Sequence, residues 1–208
     1  MYIPTTNLAT DTAEIVDFMK RFSFATIITS KDNLPTATHL PFVVSRNGEN
    51  IMLTSHFARA NDQWKDIEEN PALVIFSEPH AYISTSNYDK ELNVPTWNYI
   101  AVHAYGKARL ITEQDETFDV LEKTIQFYEN TYQQQWDSFP ADYKLRMSKG
   151  IVAFEILITD LQAKKKLSQN RSETEKNKII DTLSKSKDSN EQMIAAYMRT
   201  DRSRQKKI

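Results

Sequence analysis

The stretch Leu53–Trp64, LTSHFARANDQW, gathers Thr54, Ser55, His56, Arg59 and Asn61 directly after the apolar run Ile51-Met52-Leu53. Hydroxyls, an amide and a permanent cation stand where a strand is expected to run into a helix. Free backbone N–H groups at a helix start, with a guanidinium beside them, favour an anion. The chemistry this supports is the holding of a cofactor phosphate. A plain helix cap explains the same Ser and Thr residues, and the stretch by itself favours the cap. A second group is Lys164–Ser172, KKKLSQNRS. Gln169 and Asn170 can each donate and accept toward a ring edge, and Arg171 can bind a phosphate or stack on a ring. The competing account is a solvated loop leading into the Ser172-Glu-Thr-Glu175 capping box. In Trp97-Asn98-Tyr99 an amide sits between aromatics. Trp97 and Asn98, at the mouth of a strand after Pro95, read as pocket residues, whereas Tyr99 serves equally well as core.

Other chemistries lack their residues. The chain has no cysteine, which removes thiolate catalysis and Cys-ligated metals. The four histidines, His39, His56, His80 and His103, are too widely spaced to suggest a metal site. His39 and His56 flank adjacent strands and suit a pocket wall. There is no GxSxG, GxGxxG or P-loop sequence. No residue is assigned a catalytic role, and whether the chain is an enzyme stays open. A net charge of -2 imposes neither nucleic acid nor membrane binding. No apolar run reaches the roughly 20 residues that cross a bilayer, and the N-terminus does not read as a signal peptide, so a cytoplasmic protein is expected.

The elements that must position these groups follow from periodicity. Apolar spacing predicts a helix over about 12–21. Short β-branched runs predict strands at Phe24–Ser30, Thr36–Val44, Asn50–Ser55, Ala72–Ser77 and His80–Ser84, with an Asn47-Gly48 hairpin turn. A helix of about three turns is expected after Trp64. Trp97–Ile111 reads as a long strand bent at Gly106, followed by a helix to about Gln133. Residues 133–147 read as a connector, Gly150–Thr159 and Leu161–Leu167 as two further strands, and two helices close the chain. The class is mainly β with peripheral helices, in a small antiparallel barrel. Residues 1–170 are expected to form the barrel domain. Residues 171–208 form a helical extension packed on the same domain, ending in the basic tail Arg199–Ile208.

Taken in order, Thr38–Phe42 (THLPF), Ser55–Trp64, Pro79–Ser84 (PHAYIS), Val94–Gly106 (VPTWNYIAVHAYG), Gly150–Ile156 (GIVAFEI) and Lys166–Ser172 (KLSQNRS) resemble the PaiB-type family of FMN-binding negative transcriptional regulators. The resemblance covers nearly the whole chain. It implies a split β-barrel like that of pyridoxamine-phosphate oxidases, and a homodimer with FMN at the subunit interface. It maps the FMN phosphate onto Thr38, His39, Leu40, Thr54, Ser55, Arg59, Ala60 and Asn61. Lys166 or Arg171, from the other subunit, would complete the charge. The function implied is a flavin-binding regulator or sensor, with an FMN-dependent oxidoreductase of unknown substrate as the alternative. DNA is a partner that only the basic tail supports.

Overall fold

The computed structural model describes residues 1–205, with side chains to residue 201. Helix α1 (Thr12–Arg21) is followed by strands β1 (Phe24–Lys31), β2 (Leu34–Pro41), β3 (Val43–Asn47), β4 (Asn50–Ala58), β5 (Ala72–Phe76), β6 (His80–Ile83) and β7 (Thr96–Leu110). Helices α2 (Gln114–Tyr128), α3 (Gln133–Ser138) and α4 (Ala141–Ser148) come next. Strand β8 (Ile151–Lys166) and helices α5 (Glu173–Ser184) and α6 (Ser189–Gln205) complete the chain. The sheet has eight strands in the order β2-β1-β5-β7-β8-β4-β3, and β6 pairs with β7. Every pairing with a resolved register is antiparallel.

The chain divides into two compact units. The first unit holds Met1–Asp11, Ser77–Val102 and the described residues from Gln162 on; the second holds Thr12–Phe76 and His103–Leu161. Strands β7 and β8 each contribute residues to both. In the second unit, β1 alternates strictly, so that Ala25, Ile27 and Thr29 are buried. The interior is aromatic: Phe57 stacks on Phe154 with centroids 4.8 Å apart, and Phe42 meets Phe76 and Phe154 edge-on at 6.1 and 6.2 Å. Ile15, Val16, Phe18 and Met19 of α1 are buried on one helical face. In the first unit α6 packs on α5 and β6, burying Ile179, Leu183, Ile194 and Met198.

Five elements differ from the expectations. Strand β4 continues through His56 and Phe57 to Ala58, because the alternation Ile51, Leu53, Ser55, Phe57 carries Phe57 onto Phe154. The helix expected after it is only a 3-10 turn over Asp62–Asp66, capped by the Asn61 side chain, which accepts from Gln63 N–H at 3.0 Å. Residues 133–148 are helical where a connector was read: Trp136 packs on Phe118 and Phe139, and Phe139 packs on Tyr143, so tertiary contacts order the segment. Finally, β8 is one strand rather than two. Expected Thr36–Val44, by contrast, splits into β2 and β3 at the fully buried Phe42.

Gly106 is a close approach within a continuous β7, not a bend. A Cβ there would lie 2.6 Å from Ile156 Cγ2 and nearer still to the Leu157 carbonyl oxygen of the neighbouring strand. That oxygen is backbone and cannot swing away. Gly106→Ala is therefore expected to destabilise the protein by about 1–3 kcal/mol, the range for overpacking. Urea unfolding monitored by far-UV circular dichroism would show the lowered midpoint.

Candidate functional site

In the first unit the turn after β8 is built by its own side chains. Ser168 adopts a left-handed backbone, φ 59°. Its hydroxyl donates to Asn98 Oδ1 at 3.0 Å, and the Asn98 amide, fully buried, also points at Met198 Sδ at 3.6 Å. Gln169 accepts from Leu167 N–H at 2.8 Å and donates to the Lys165 carbonyl at 2.6 Å. Gln169 is thus spent on shaping the turn, and its amide is not presented to a ring. What the turn presents is Lys166, Asn170 and Arg171. With Thr96 and Asn98 from β7, they line a cavity of about 370 Å³. Lys166 Nζ donates to the Thr96 hydroxyl. Arg171 donates to Asn93 Oδ1 at 2.8 Å, lies 3.7 Å over the Tyr88 ring and sits 4.0 Å from Glu175. Among the described residues, two cations and no carboxylate line the cavity. Trp97 does not line it; half-exposed, it packs beside His80 and Tyr82.

Pro4, Thr6 and Asn7 form a wall of this cavity that the sequence did not flag. The N-terminal segment is held by β8: Leu8 bridges to Lys164, and Ala9 N–H donates to the Ala163 carbonyl at 3.1 Å. Thr96 and Ser168 were also missed, although both lie inside the quoted motifs VPTWNY and KLSQNRS.

In the second unit, Thr38, Asn61 and Gln63 form one polar network. Asn61 donates to the Thr38 hydroxyl at 2.9 Å, and that hydroxyl donates to Gln63 Oε1 at 2.6 Å. The buried Gln63 amide donates to Thr29 Oγ1 and the Thr36 carbonyl, both at 3.1 Å. Ser55 donates to the Pro41 carbonyl at 2.7 Å, and Thr54 is buried beside it in β4. His39 is exposed and stacked against Phe24; Leu40 is half-buried and Ala60 exposed. Arg59 takes another direction. Its Nε donates to the Lys149 carbonyl at 2.7 Å and its Nη2 to the Ile151 carbonyl at 2.8 Å, and it lines a separate cavity in this unit. The structure therefore brings Asn98, Lys166, Gln169, Asn170 and Arg171 together in one cavity, and Thr38 and Asn61 in one network.

Residues 1–160 match the profile of a family described as "Putative FMN-binding domain". The chain belongs to this family. A Bacillus subtilis (strain 168) relative named protease synthase and sporulation protein PAI 2 is 41% identical over 201 residues, covering 95% of this chain and 96% of that protein. That places the chain among the PaiB-type members. Two solved structures share the fold. The FAD and heme binding protein from Mycobacterium smegmatis is 14% identical with a TM-score of 0.58, over 77% of this chain and 73% of that one. The flavocytochrome Anf3 from Azotobacter vinelandii is 15% identical with a TM-score of 0.59, over 76% and 68%. The fold is the antiparallel split β-barrel of FMN-binding proteins, and FMN is the family's cofactor. No helix among the described residues is long and apolar enough to cross a membrane. The first unit's donor set fits FMN: a phosphate monoester takes cations and N–H or O–H donors, and a lining free of carboxylates does not repel it.

Burial pushes the half-buried His56 imidazole below its ordinary value of 6.5. The folded protein therefore favours the neutral ring. As pH falls through 6.5 the unfolded chain takes up a proton that the folded chain does not, so this contribution is intact above 6.5 and is lost down to the lowered folded value. The urea midpoint is expected to drop between about pH 7.5 and about pH 5.5, and His56→Gln is expected to reduce that drop.

Proposed function

We propose that the first unit's cavity takes the phosphate and ribityl end of FMN, and that the protein works as a cytoplasmic flavin-binding regulator or sensor. The observation that carries this is the pairing of Lys166 and Arg171 around about 370 Å³ with no carboxylate among the described lining residues. Lys166 is the point charge, held by the Thr96 hydroxyl. Arg171, braced by the Tyr88 ring and Asn93, is the fixed one. Asn170 carries no side-chain hydrogen bond among the described residues and supplies a free amide. FMN would bring redox chemistry through its ring; the chain's residues bind and orient it. A homodimer, in which a second copy covers the flavin, agrees with this reading. The name of the B. subtilis relative, a sporulation protein, supports a regulatory role. DNA contact would rest on the basic tail Arg199–Ile208, of which residues 206–208, and the side chains beyond residue 201, lie outside those described.

Quenching of FMN fluorescence on titration with purified protein tests the reading. Lys166→Ala is expected to weaken FMN by about 1.5–3 kcal/mol, which is about tenfold to more than a hundredfold in Kd. Absence of quenching by the wild-type protein, even far above micromolar FMN, would overturn the proposal. Size-exclusion chromatography with light scattering checks the dimer.

A further inference from the structure

We infer that the second unit carries a separate binding site for a small amphipathic carboxylate, built on Arg59 and Lys149. The site is a cavity of about 360 Å³. That volume lies within the range of roughly 300–1,000 Å³ typical of small-molecule pockets. Its apolar floor comes from Ile111, Val152 and Ala153, all buried, with Leu145 beside them. At its rim stand the two cations and the Trp64 indole, which donates to the Arg59 carbonyl at 3.1 Å. No acidic residue among the described residues lines it.

The charges are uncompensated. Neither Arg59 nor Lys149 has a carboxylate within ion-pair distance among the described residues, whereas Arg109 pairs with both Glu116 and Glu155. Arg59 is also pre-positioned. Its Nε and Nη2 hold the Lys149 and Ile151 carbonyls, and its own N–H donates to the Gly150 carbonyl at 2.8 Å, so one side of the guanidinium is fixed to the backbone. The remaining edge, Nη1–H with the second Nη2–H, has no acceptor among the described residues. Two parallel donors on a planar fork suit the two oxygens of a carboxylate. A ligand with a carboxylate head and a short apolar or aromatic body satisfies the free edge and covers the floor together. A fully hydrated anion such as inorganic phosphate would leave the floor uncovered.

The test uses the full chain and phenylacetate, with 2-phenylethanol as its uncharged counterpart, read by saturation-transfer NMR and calorimetry. Phenylacetate is expected to bind saturably and about tenfold or more tighter than the alcohol. Arg59→Gln is expected to lose about tenfold or more, provided that circular dichroism shows it folded. Lys149→Glu is expected to keep the fold, checked by circular dichroism, because its side chain is exposed and its carbonyl remains for Arg59. It should abolish the preference for the acid while leaving the FMN titration unchanged. Equal binding of acid and alcohol, unchanged phenylacetate binding in Lys149→Glu, or no saturable binding would each overturn the inference. Because FMN is titrated separately, failure of the flavin reading and failure of this one are distinguishable.

Discussion

A buried hydrogen bond between Ser168 and Asn98 sets the geometry on which the cofactor reading rests. Asn98 has no solvent exposure, so its polar atoms must find partners inside the protein. Its carbonyl oxygen takes the Ser168 hydroxyl, and this bond offsets the cost of holding a non-glycine residue at φ 59°. Leaving that oxygen unpaired would cost about 1–3 kcal/mol. With Ser168 pinned, Lys166 stands on the strand side of the turn and Asn170 and Arg171 on the other, all lining one cavity. The capping box of Ser172 and Glu175 then starts α5 immediately after the ligands.

The two cationic cavities are built differently, and the difference has chemical content. In the first unit the lysine is held only by a threonine hydroxyl, and the arginine is braced by an aromatic face and an amide. A flexible ammonium beside a fixed guanidinium can follow a tetrahedral phosphate. In the second unit the arginine is fixed to backbone carbonyls above an apolar floor, which suits a flat head group. Net charge did not announce either, because 26 basic residues are outnumbered by 28 acidic ones. Local lining, not global balance, makes them positive.

Much of the fold was legible because its signals are local. Short apolar and β-branched runs placed β1 and β5, and alternation placed β7; the Asn-Gly turn placed the β3–β4 hairpin; Ser172 and Glu175 placed the start of α5. The junction after β4 was misread because the signs of a helix start competed with an alternation that only Phe154, far along the chain, could reward. The helices over 133–148 depend on the same kind of distant contact. The site followed the same divide. Lys166, Asn170 and Arg171 stood in one quoted motif, and Thr96 and Ser168 sat inside quoted motifs without being singled out. Lys149 could not be linked to Arg59, since 90 residues separate them and no periodicity joins them. Nor could Pro4, Thr6 and Asn7, which reach their cavity only through the bridge from Leu8 to Lys164.

Strand β8 runs unbroken from Ile151 to Lys166. Its first residues floor one cavity and its last supplies a cation to the other. In a strand, side chains alternate faces with a period of two, so inserting or deleting one residue in its middle reverses every position downstream. Within each unit, a length change in its own stretch of β8 would therefore shift the residues that line that unit's cavity. The same holds at its flanks, because the Lys149 and Gly150 carbonyls hold Arg59 and the turn after Lys166 lines the first unit's cavity.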